Sequence, residues 1–245
     1  MESIGNFRQI GGQTTVDGHR VRSGVVFRSA HLAGASDADL EALAALGIRT
    51  VFDFRNPADL AAEGPNRLPD NAQLVSLPMV DPANPSGVRL DVSSLSPEEL
   101  EERFGNGKAH QWMKEASARS VSSPERSAQF GAFVRGVLAP GAVPALFNCS
   151  AGKDRTGWAA SLLLLSLGVP EKQVVDHYLE TNRYVEPGRY GDLLMPVATV
   201  HEDFFVEQMR VLADTWGSFD RYWVDALGLD DSHRQAVRAL LLEAP

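Results

Sequence analysis

Helical and strand patterns alternate along the chain. After a capping-box-like start at residues 36–39, apolar residues recur at helical spacing over 40–46, and Gly47 ends the predicted helix. The apolar residues of 130–138 show the same spacing more strongly, after a start at Ser123-Pro124. Residues 158–167 contain no charge, which indicates a largely buried helix.

Short apolar runs between these helices predict strands, because they are rich in β-branched and aromatic residues. The order of strands and helices predicts an α/β domain with a central, mostly parallel sheet flanked by helices. The predicted strands are 25–27, 48–54, 74–77 and 143–147, and further helices are predicted over 170–182, 192–213, 219–227 and 232–242.

Residues 82–122 differ from the rest of the chain. They are polar and rich in Gly, Ser and Pro, with one short helix signal between Ser96 and Gly105. The core pattern resumes after them, so we interpret the segment as a polar lid-type insertion rather than a linker. A chain of 245 residues has room for one large domain, and we predict a single domain over 1–245.

The composition is that of an ordinary globular protein, with 44% hydrophobic and 22% charged residues. The formal net charge of −9 disfavours nucleic acid and anionic membranes as partners, so an anionic substrate would need a local positive pocket. Residues 1–4 lack the features of a signal peptide, and no apolar run approaches the ~20 residues that span a bilayer. We therefore expect a cytoplasmic protein without stable membrane association.

The single cysteine, Cys149, excludes an internal disulfide and a Cys-rich metal site. The six histidines are scattered without the spacing of metal ligands, and we predict no metal and no cofactor. Cys149 is therefore either a buried filler or a nucleophile, and its neighbours decide between the two.

Those neighbours suit phosphoester chemistry. Five residues separate Cys149 from Arg155, in a loop predicted between a strand and a helix, where backbone N–H groups and the helix dipole favour anions. A cysteine in such a field loses its proton more readily, and an arginine can hold two phosphate oxygens in a fork. Thr156 is placed to hydrogen-bond the sulfur. We expect the phosphate-binding loop to comprise Ser150, Ala151, Gly152, Lys153, Asp154, Arg155 and Thr156.

The segment 148–157, NCSAGKDRTG, resembles the Cys-x5-Arg signature of cysteine-dependent protein phosphatases. More narrowly, it is similar to the bacterial tyrosine phosphatases related to the mycobacterial protein tyrosine phosphatase B. The resemblance covers nearly the whole chain and is weakest over 82–122. It implies a dual-specificity-phosphatase-like fold and a metal-independent reaction through a phosphocysteine. Further matching segments are 6–12, 28–29, 46–49, 53–55 and 217–219.

Three carboxylates are candidates for the general acid. Asp154 lies inside the loop, and Asp81 has a position that resembles the acidic loop of the family. Asp53 is the third, although it could equally hold Arg55 or a loop. We rank Asp81 and Asp154 as equal, because the sequence does not separate them.

Three further residues could assist the reaction. Asn148 stands where the resembling family usually has His, so a backbone hydrogen bond remains possible but a charge does not. The resemblance associates Lys153 with a wider substrate range that includes phosphoinositides. Arg28 is expected either to reach the rim of the pocket or to pair with a carboxylate.

The loop chemistry leaves the substrate open between a phosphorylated protein, a phosphoinositide and a small phosphorylated metabolite. Two other functions are weaker alternatives: a phospho-binding module that hydrolyses little, and redox or sulfur-transfer chemistry of the lone thiolate. The missing second cysteine argues against the redox alternative, since nothing would resolve an oxidised intermediate.

Overall fold

The sheet predicted from the sequence is present and has five strands. In this computed structural model, which describes residues 1–81, 83–84, 94–185 and 191–244, the strand order is β1-β2-β5-β3-β4. β1 pairs antiparallel with β2, and the other three pairings are parallel, which confirms a mostly parallel sheet. The strands are β1 (Arg8–Ile10), β2 (Val26–Ser29), β3 (Thr50–Asp53), β4 (Gln73–Ser76) and β5 (Ala145–Asn148).

Helices surround this sheet, and most of them begin where the sequence places a cap. Ser36 and Asp39 form a complete capping box at the start of the first helix, and Gly168 ends the central helix in the left-handed conformation. The helices are α1 (Asp37–Ala45), α2 (Pro57–Glu63), α3 (Pro97–Phe104), α4 (Lys108–Ser122), α5 (Pro124–Val137), α6 (Asp154–Leu167), α7 (Glu171–Leu179), α8 (Gly191–Ala198), α9 (Glu202–Trp216), α10 (Phe219–Arg221) and α11 (Asp231–Leu241).

The three inner strands, β2, β3 and β5, bury both of their faces, because their side chains alternate between two apolar clusters. In β3, Phe52 joins a large cluster with α5 and α6, whereas Val51 joins a smaller one with α1. β5, the middle strand, divides Phe147 and Leu146 in the same way. This burial explains the short, continuous apolar runs in the sequence.

The segment 82–122 is more structured than the predicted polar insertion. Residues 82 and 85–93 lie outside the described residues, α3 confirms the one helix signal, and α4 is a second helix of 15 residues. One side of α4 is buried, and Ser117 and Val121 accept hydrogen bonds from side chains of α9 at 3.1 and 2.8 Å. An apolar side could not be recognised in the sequence of α4, because most of its buried residues are small: Ala109, Ser117, Ala118 and Ser120.

One further helix prediction is corrected, and one helix was missed. The helix predicted over 192–213 is two helices, α8 and α9, separated by residues 199–201. α2 was not predicted, although Asn56, Pro57 and Asp59 form a capping box with proline in the first turn. Among the described helices, none is long and apolar enough to cross a bilayer.

Candidate active site

The Cys149 loop lies at the carboxyl end of β5, the middle strand, and leads directly into α6. Cys149 is 3% exposed and lines a cavity of about 470 Å³. The first turn of α6 contributes its unpaired N–H groups and the positive end of the helix dipole at this point. Strand, loop and helix therefore occur in the predicted order, and the thiol faces a space that can hold a substrate.

The carbonyl groups of the loop are held on its outer side. The backbone N–H of His31 donates to Ser150 O at 3.1 Å, and Asn6 Nδ2 donates to Ala151 O and Gly152 O at 3.1 and 2.8 Å. Among the described groups, none accepts a hydrogen bond from a backbone N–H of residues 150–155. With the carbonyls fixed outward, these N–H groups are free to bind an anion.

Two glycines make this tight loop possible. Gly152 has φ +65°, and a Cβ there would lie 2.4 Å from the carbonyl carbon and oxygen of Ser29. A Cβ at Gly157 would lie 2.9 Å from the ring of Tyr178. Only glycine fits at 152, both for its backbone conformation and for its contact with β2.

Arg155 lines the cavity and is held by a carboxylate that we did not predict. Its Nη1 lies 2.6 Å from Asp59 Oδ2 and donates to Phe54 O at 3.2 Å, while Nη2 donates to Ser150 Oγ at 3.2 Å. Burial alone would lower the pKa of Arg155, but Cys149 and Asp59 raise it above its ordinary value. The guanidinium is therefore a fixed cation beside the thiol.

Asp59 also lines the cavity, and Arg155 controls its ionisation. Burial would raise the pKa of Asp59, but the charge and hydrogen bond of Arg155 lower it below the ordinary value. Its place at the third position of α2 belongs to the capping box that begins at Asn56. The capping box could have been recognised in the sequence, but it does not indicate that Asp59 binds Arg155.

Asp81 lines the cavity but is engaged by two arginines. Arg119 Nε lies 3.0 Å from Oδ1, and Arg126 Nη2 lies 3.7 Å from Oδ2. Burial would raise the pKa of Asp81, but the hydrogen bond from Arg119 and the two positive charges lower it. Asp81 is thus held as a carboxylate, the wrong state for a proton donor.

Asp154, the other leading candidate, has a freer carboxyl group. It lines the cavity at the first position of α6, and its Oδ1 is buried with no hydrogen-bond partner among the described groups. Its Oδ2 lies 3.7 Å from Lys153 Nζ, which donates to the carbonyls of Val197 in the last turn of α8 and of Thr199 just after it. Lys153 therefore lies in the cavity wall, and its ammonium group is held by α8.

Asp53 and Asn148 belong to a structural network beneath the loop. Asp53 accepts hydrogen bonds from Arg55 Nη2 at 2.8 Å and from Asn66 Nδ2 at 3.0 Å. The same Asn66 amide donates to Asn148 Oδ1 at 3.2 Å, and Asn148 Nδ2 donates to Cys149 O at 3.4 Å. Asp53 does not line the cavity, so its role is to hold Arg55 and the loop.

Neither expectation for Arg28 is correct. It is fully buried, it does not line the cavity, and no described carboxylate lies within 4.0 Å of it. Instead, Nη2 donates to Gly152 O at 2.7 Å, behind the loop. Thr156 Oγ1 is also buried, and it makes no hydrogen bond to any described group, Cys149 Sγ included.

The cavity walls combine apolar side chains with balanced charges. Three arginine and lysine side chains and three aspartates line the cavity, so the side chains together do not make it strongly positive. An anion is attracted by Arg155 together with the loop N–H groups and the amino end of α6. The apolar wall residues include Met79, Phe104, Trp112 and Met113, and the charged ones are Asp59, Asp81, Arg126, Lys153, Asp154 and Arg155.

Comparisons with known proteins agree with this geometry. A family model described as a tyrosine phosphatase family matches residues 1–243. A protein of Cupriavidus necator named as a tyrosine-protein phosphatase is 32% identical over 94% of this chain and 84% of its own length. The triple specificity protein phosphatase PtpB of Mycobacterium tuberculosis is 28% identical over 97% of this chain and 96% of its own length.

The thiol loop, its arginine and the full-length matches lead to one conclusion. The chain belongs to the tyrosine phosphatase family and is a cysteine-dependent phosphatase.

Proposed function

We propose that this phosphatase hydrolyses phosphotyrosine in proteins, with Cys149 as nucleophile, Arg155 as phosphate clamp and Asp154 as proton donor. The observation that carries the proposal is the loop itself. Its only thiol lines the cavity, its carbonyls are held outward, and a fixed guanidinium stands beside it. This arrangement suits a nucleophile and a phosphate dianion in one place.

In the first step, the Cys149 thiolate attacks phosphorus and forms an S–P bond as the bond to the leaving oxygen breaks. The loop N–H groups and Arg155 stabilise the charge on the transferring phosphoryl oxygens. Asp154 gives its proton to the leaving phenolate oxygen, so that tyrosine departs neutral.

In the second step, water attacks the phosphocysteine. Asp154, now a carboxylate, accepts a proton from this water while the S–P bond breaks. Inorganic phosphate leaves, and the Cys149 thiolate and the protonated Asp154 are restored. Every atom comes from substrate, water or these side chains.

Asp154 is favoured over Asp81 by its surroundings. A proton donor must hold its proton at working pH, and two arginines keep Asp81 ionised. Asp154 Oδ1 instead faces no hydrogen-bond donor among the described groups, and the carboxyl lies on the cavity wall next to Arg155. The shared position on the wall makes Asp81 a matched control.

The apolar wall favours an aryl phosphate. Phe104 and Trp112 pack edge to face with ring centroids 6.4 Å apart, and Trp112 is 49% exposed. An exposed tryptophan on the wall of a phosphate site offers a surface on which a phenyl ring can pack.

A substrate with a second phosphate is the other candidate. Lys153 and Arg126 add two cations to the cavity wall beyond Arg155. The relative PtpB is named a triple specificity phosphatase, which is consistent with a broad range for this architecture. A phosphoinositide would use these cations, whereas phosphotyrosine would not need them.

The test is phosphate release without added metal from a phosphotyrosine peptide, a phosphoserine peptide, a water-soluble phosphoinositide and a sugar monophosphate. We expect the phosphotyrosine peptide to give the highest kcat/KM, and Cys149→Ser to reduce release to background. A higher kcat/KM for the phosphoinositide would move the assignment to the second candidate. Release that survives Cys149→Ser would contradict the mechanism.

Leaving-group dependence tests the proton donor. Asp154→Asn should lower kcat about 10²–10⁴-fold on phenyl phosphate, whose leaving group needs a proton. The loss should be much smaller on para-nitrophenyl phosphate, which leaves without one. Asp81→Asn is the matched control and should show equal effects on both substrates; the reverse pattern would make Asp81 the acid.

A further inference from the structure

Arg28 is an unusual residue for the place it occupies. It is 0% exposed, and its Nε and Nη1 have no hydrogen-bond partner among the described groups. Only Nη2 is engaged, with Gly152 O at 2.7 Å and more weakly with Lys153 O at 3.5 Å. A guanidinium has five N–H donors, so most of its capacity is unused.

The charges around Arg28 do not neutralise it. Arg8 lies on the same side of the loop and repels it, and Arg8 already has Glu180 at 3.5 Å. His177 and Tyr178 complete the buried surroundings, and both contribute uncharged rings there, because burial lowers the pKa of His177 and raises that of Tyr178.

The amino end of α6 makes the position of Arg28 still less favourable for a cation. A Cβ on Gly157, in the first turn of α6, would lie 3.7 Å from Arg28 Nη2. The amino end of a helix carries partial positive charge and repels a cation. A buried charge without a counter-ion is strongly unfavourable, so a hydrogen bond to Gly152 O alone does not account for a charged side chain at this position.

Among the groups whose negative charge favours the charged form of Arg28, which burial otherwise disfavours, Cys149 has the largest effect. Glu180 and Tyr178 contribute less, and Glu180 already pairs with Arg8. Arg28 is in register with Phe147 across β2 and β5, two residues before Cys149. The other cation beside the thiol, Arg155, has Asp59 as its own counter-ion, and Asn148 before the cysteine is uncharged.

We propose that Arg28 is a positioning residue of the reaction: a fixed counter-charge behind the loop for the Cys149 thiolate and for the phosphoryl group it receives. Its hydrogen bond to Gly152 O fixes the outward carbonyl, and its charge holds the nucleophile in the thiolate form. The inference rests on the proposed role of Cys149 as nucleophile.

A purely structural role makes a different prediction. If Arg28 only anchored Gly152 O, any side chain that donates one hydrogen bond there would serve. Gln and Lys both can, but only Lys carries the charge. The pair Arg28→Gln and Arg28→Lys therefore separates the hydrogen bond from the charge.

The experiment measures thiolate directly, without turnover. Because Cys149 is the only cysteine, its alkylation by iodoacetamide reports on this one site. The rate is measured from about pH 4 to about pH 9, and the titration curve gives the ratio of thiolate to thiol at pH 6. Near-ultraviolet circular dichroism confirms that each variant is folded.

We expect the ratio to fall about tenfold in Arg28→Gln, the effect of losing one nearby charge, and to stay within about twofold of wild type in Arg28→Lys. Arg8→Gln, which removes a cation with its own carboxylate, is the matched control and should leave the ratio nearly unchanged. If Arg28→Gln does not fold, Arg28→Asn, the other neutral amide donor, takes its place.

Equal ratios in Arg28→Gln and wild type, or a tenfold loss in Arg28→Lys, would overturn the proposal. Because no substrate is present, these results are independent of the proposed substrate. A failure of the proposed function would appear separately, as phosphate release that survives Cys149→Ser or is absent from wild type.

Discussion

Arg155 owes its position to a carboxylate 96 residues earlier in the chain. Asp59 Oδ2 lies 2.6 Å from Nη1, and both side chains line the cavity. Phosphate recognition by a guanidinium needs a fixed fork, and a long flexible side chain provides one only when part of the guanidinium is held in place. Asp59 and Phe54 O both hold Nη1 here.

Asp59→Asn should therefore weaken phosphate binding. The amide lacks the charge that fixes the guanidinium, so we expect kcat/KM for para-nitrophenyl phosphate to fall about tenfold or more. Glu63→Gln is the control, because this carboxylate lies on the same helix but pairs with Arg55. Steady-state kinetics with inorganic phosphate as inhibitor provide the measurement; unchanged phosphate affinity in Asp59→Asn would refute the role.

Gly152→Ala tests the close approach of the loop to β2. The new Cβ would overlap the Ser29 carbonyl at 2.4 Å and strain a backbone with φ +65°. We expect a loss of about 1–3 kcal/mol in the free energy of unfolding and a large fall in kcat.

Gly18→Ala is the control for that change. Gly18 has φ +88°, but a Cβ there would have no neighbour within 4 Å. It therefore carries the backbone strain without the overlap, and it lies far from the thiol loop in sequence. Denaturant unfolding compares the two variants, and equal losses would show that the contact with Ser29 contributes nothing.

Sequence distance decides which of these residues could be predicted. Cys149 and Arg155 were predicted because their chemistry depends on one short segment, in which the spacing itself carries the information. Asp59 and Arg28 act only through sheet pairing and helix packing, which bring distant segments to the loop. Their local sequence shows a helix cap and a strand end, and neither indicates a partner.

At the scale of elements, α4 shows where pattern reading fails. Its buried side consists mostly of Ala and Ser, which a hydrophobicity pattern treats as neutral or polar. The helix nevertheless packs against α9 and brings Trp112 and Met113 to the cavity. Small residues allow close helix approach, and this property does not register as apolar periodicity.

Trp112→Ala tests the contribution of α4 to substrate choice. Losing the indole should lower kcat/KM for phenyl phosphate several-fold, since an aromatic contact contributes roughly 0.5–1.5 kcal/mol beyond its buried area. An alkyl phosphate should be hydrolysed at an unchanged rate. Equal losses on both substrates would mean that Trp112 shapes the cavity without contacting the substrate.

At the scale of the whole molecule, the chain ends are tied together. The backbone N–H of Arg22 donates to Leu241 O at 2.7 Å, and Arg238 is paired with Asp17. The single domain over 1–245 remains a prediction. It implies that fluorescence and circular dichroism report one coincident unfolding transition, and two separate transitions would contradict it.

The charge of the molecule and the charge of its site are separate matters. The net charge is −9, and the side chains of the cavity are balanced between three cations and three aspartates. Anion binding therefore depends on Arg155, on the converging backbone N–H groups of the loop and on the amino end of α6, an arrangement that exists only in the folded chain. Composition alone could not have predicted this arrangement.

The central claim is that the phosphoryl group passes through Cys149. The most direct test mixes the enzyme with excess para-nitrophenyl phosphate, whose leaving group needs no proton, denatures it within milliseconds, digests it and measures the masses of its peptides. We expect one phosphoryl group on the peptide that contains Cys149, accumulating in Asp154→Asn because activation of the water is lost, and absent in Cys149→Ser. A phosphoryl group on another residue, or turnover with none on the protein, would contradict it.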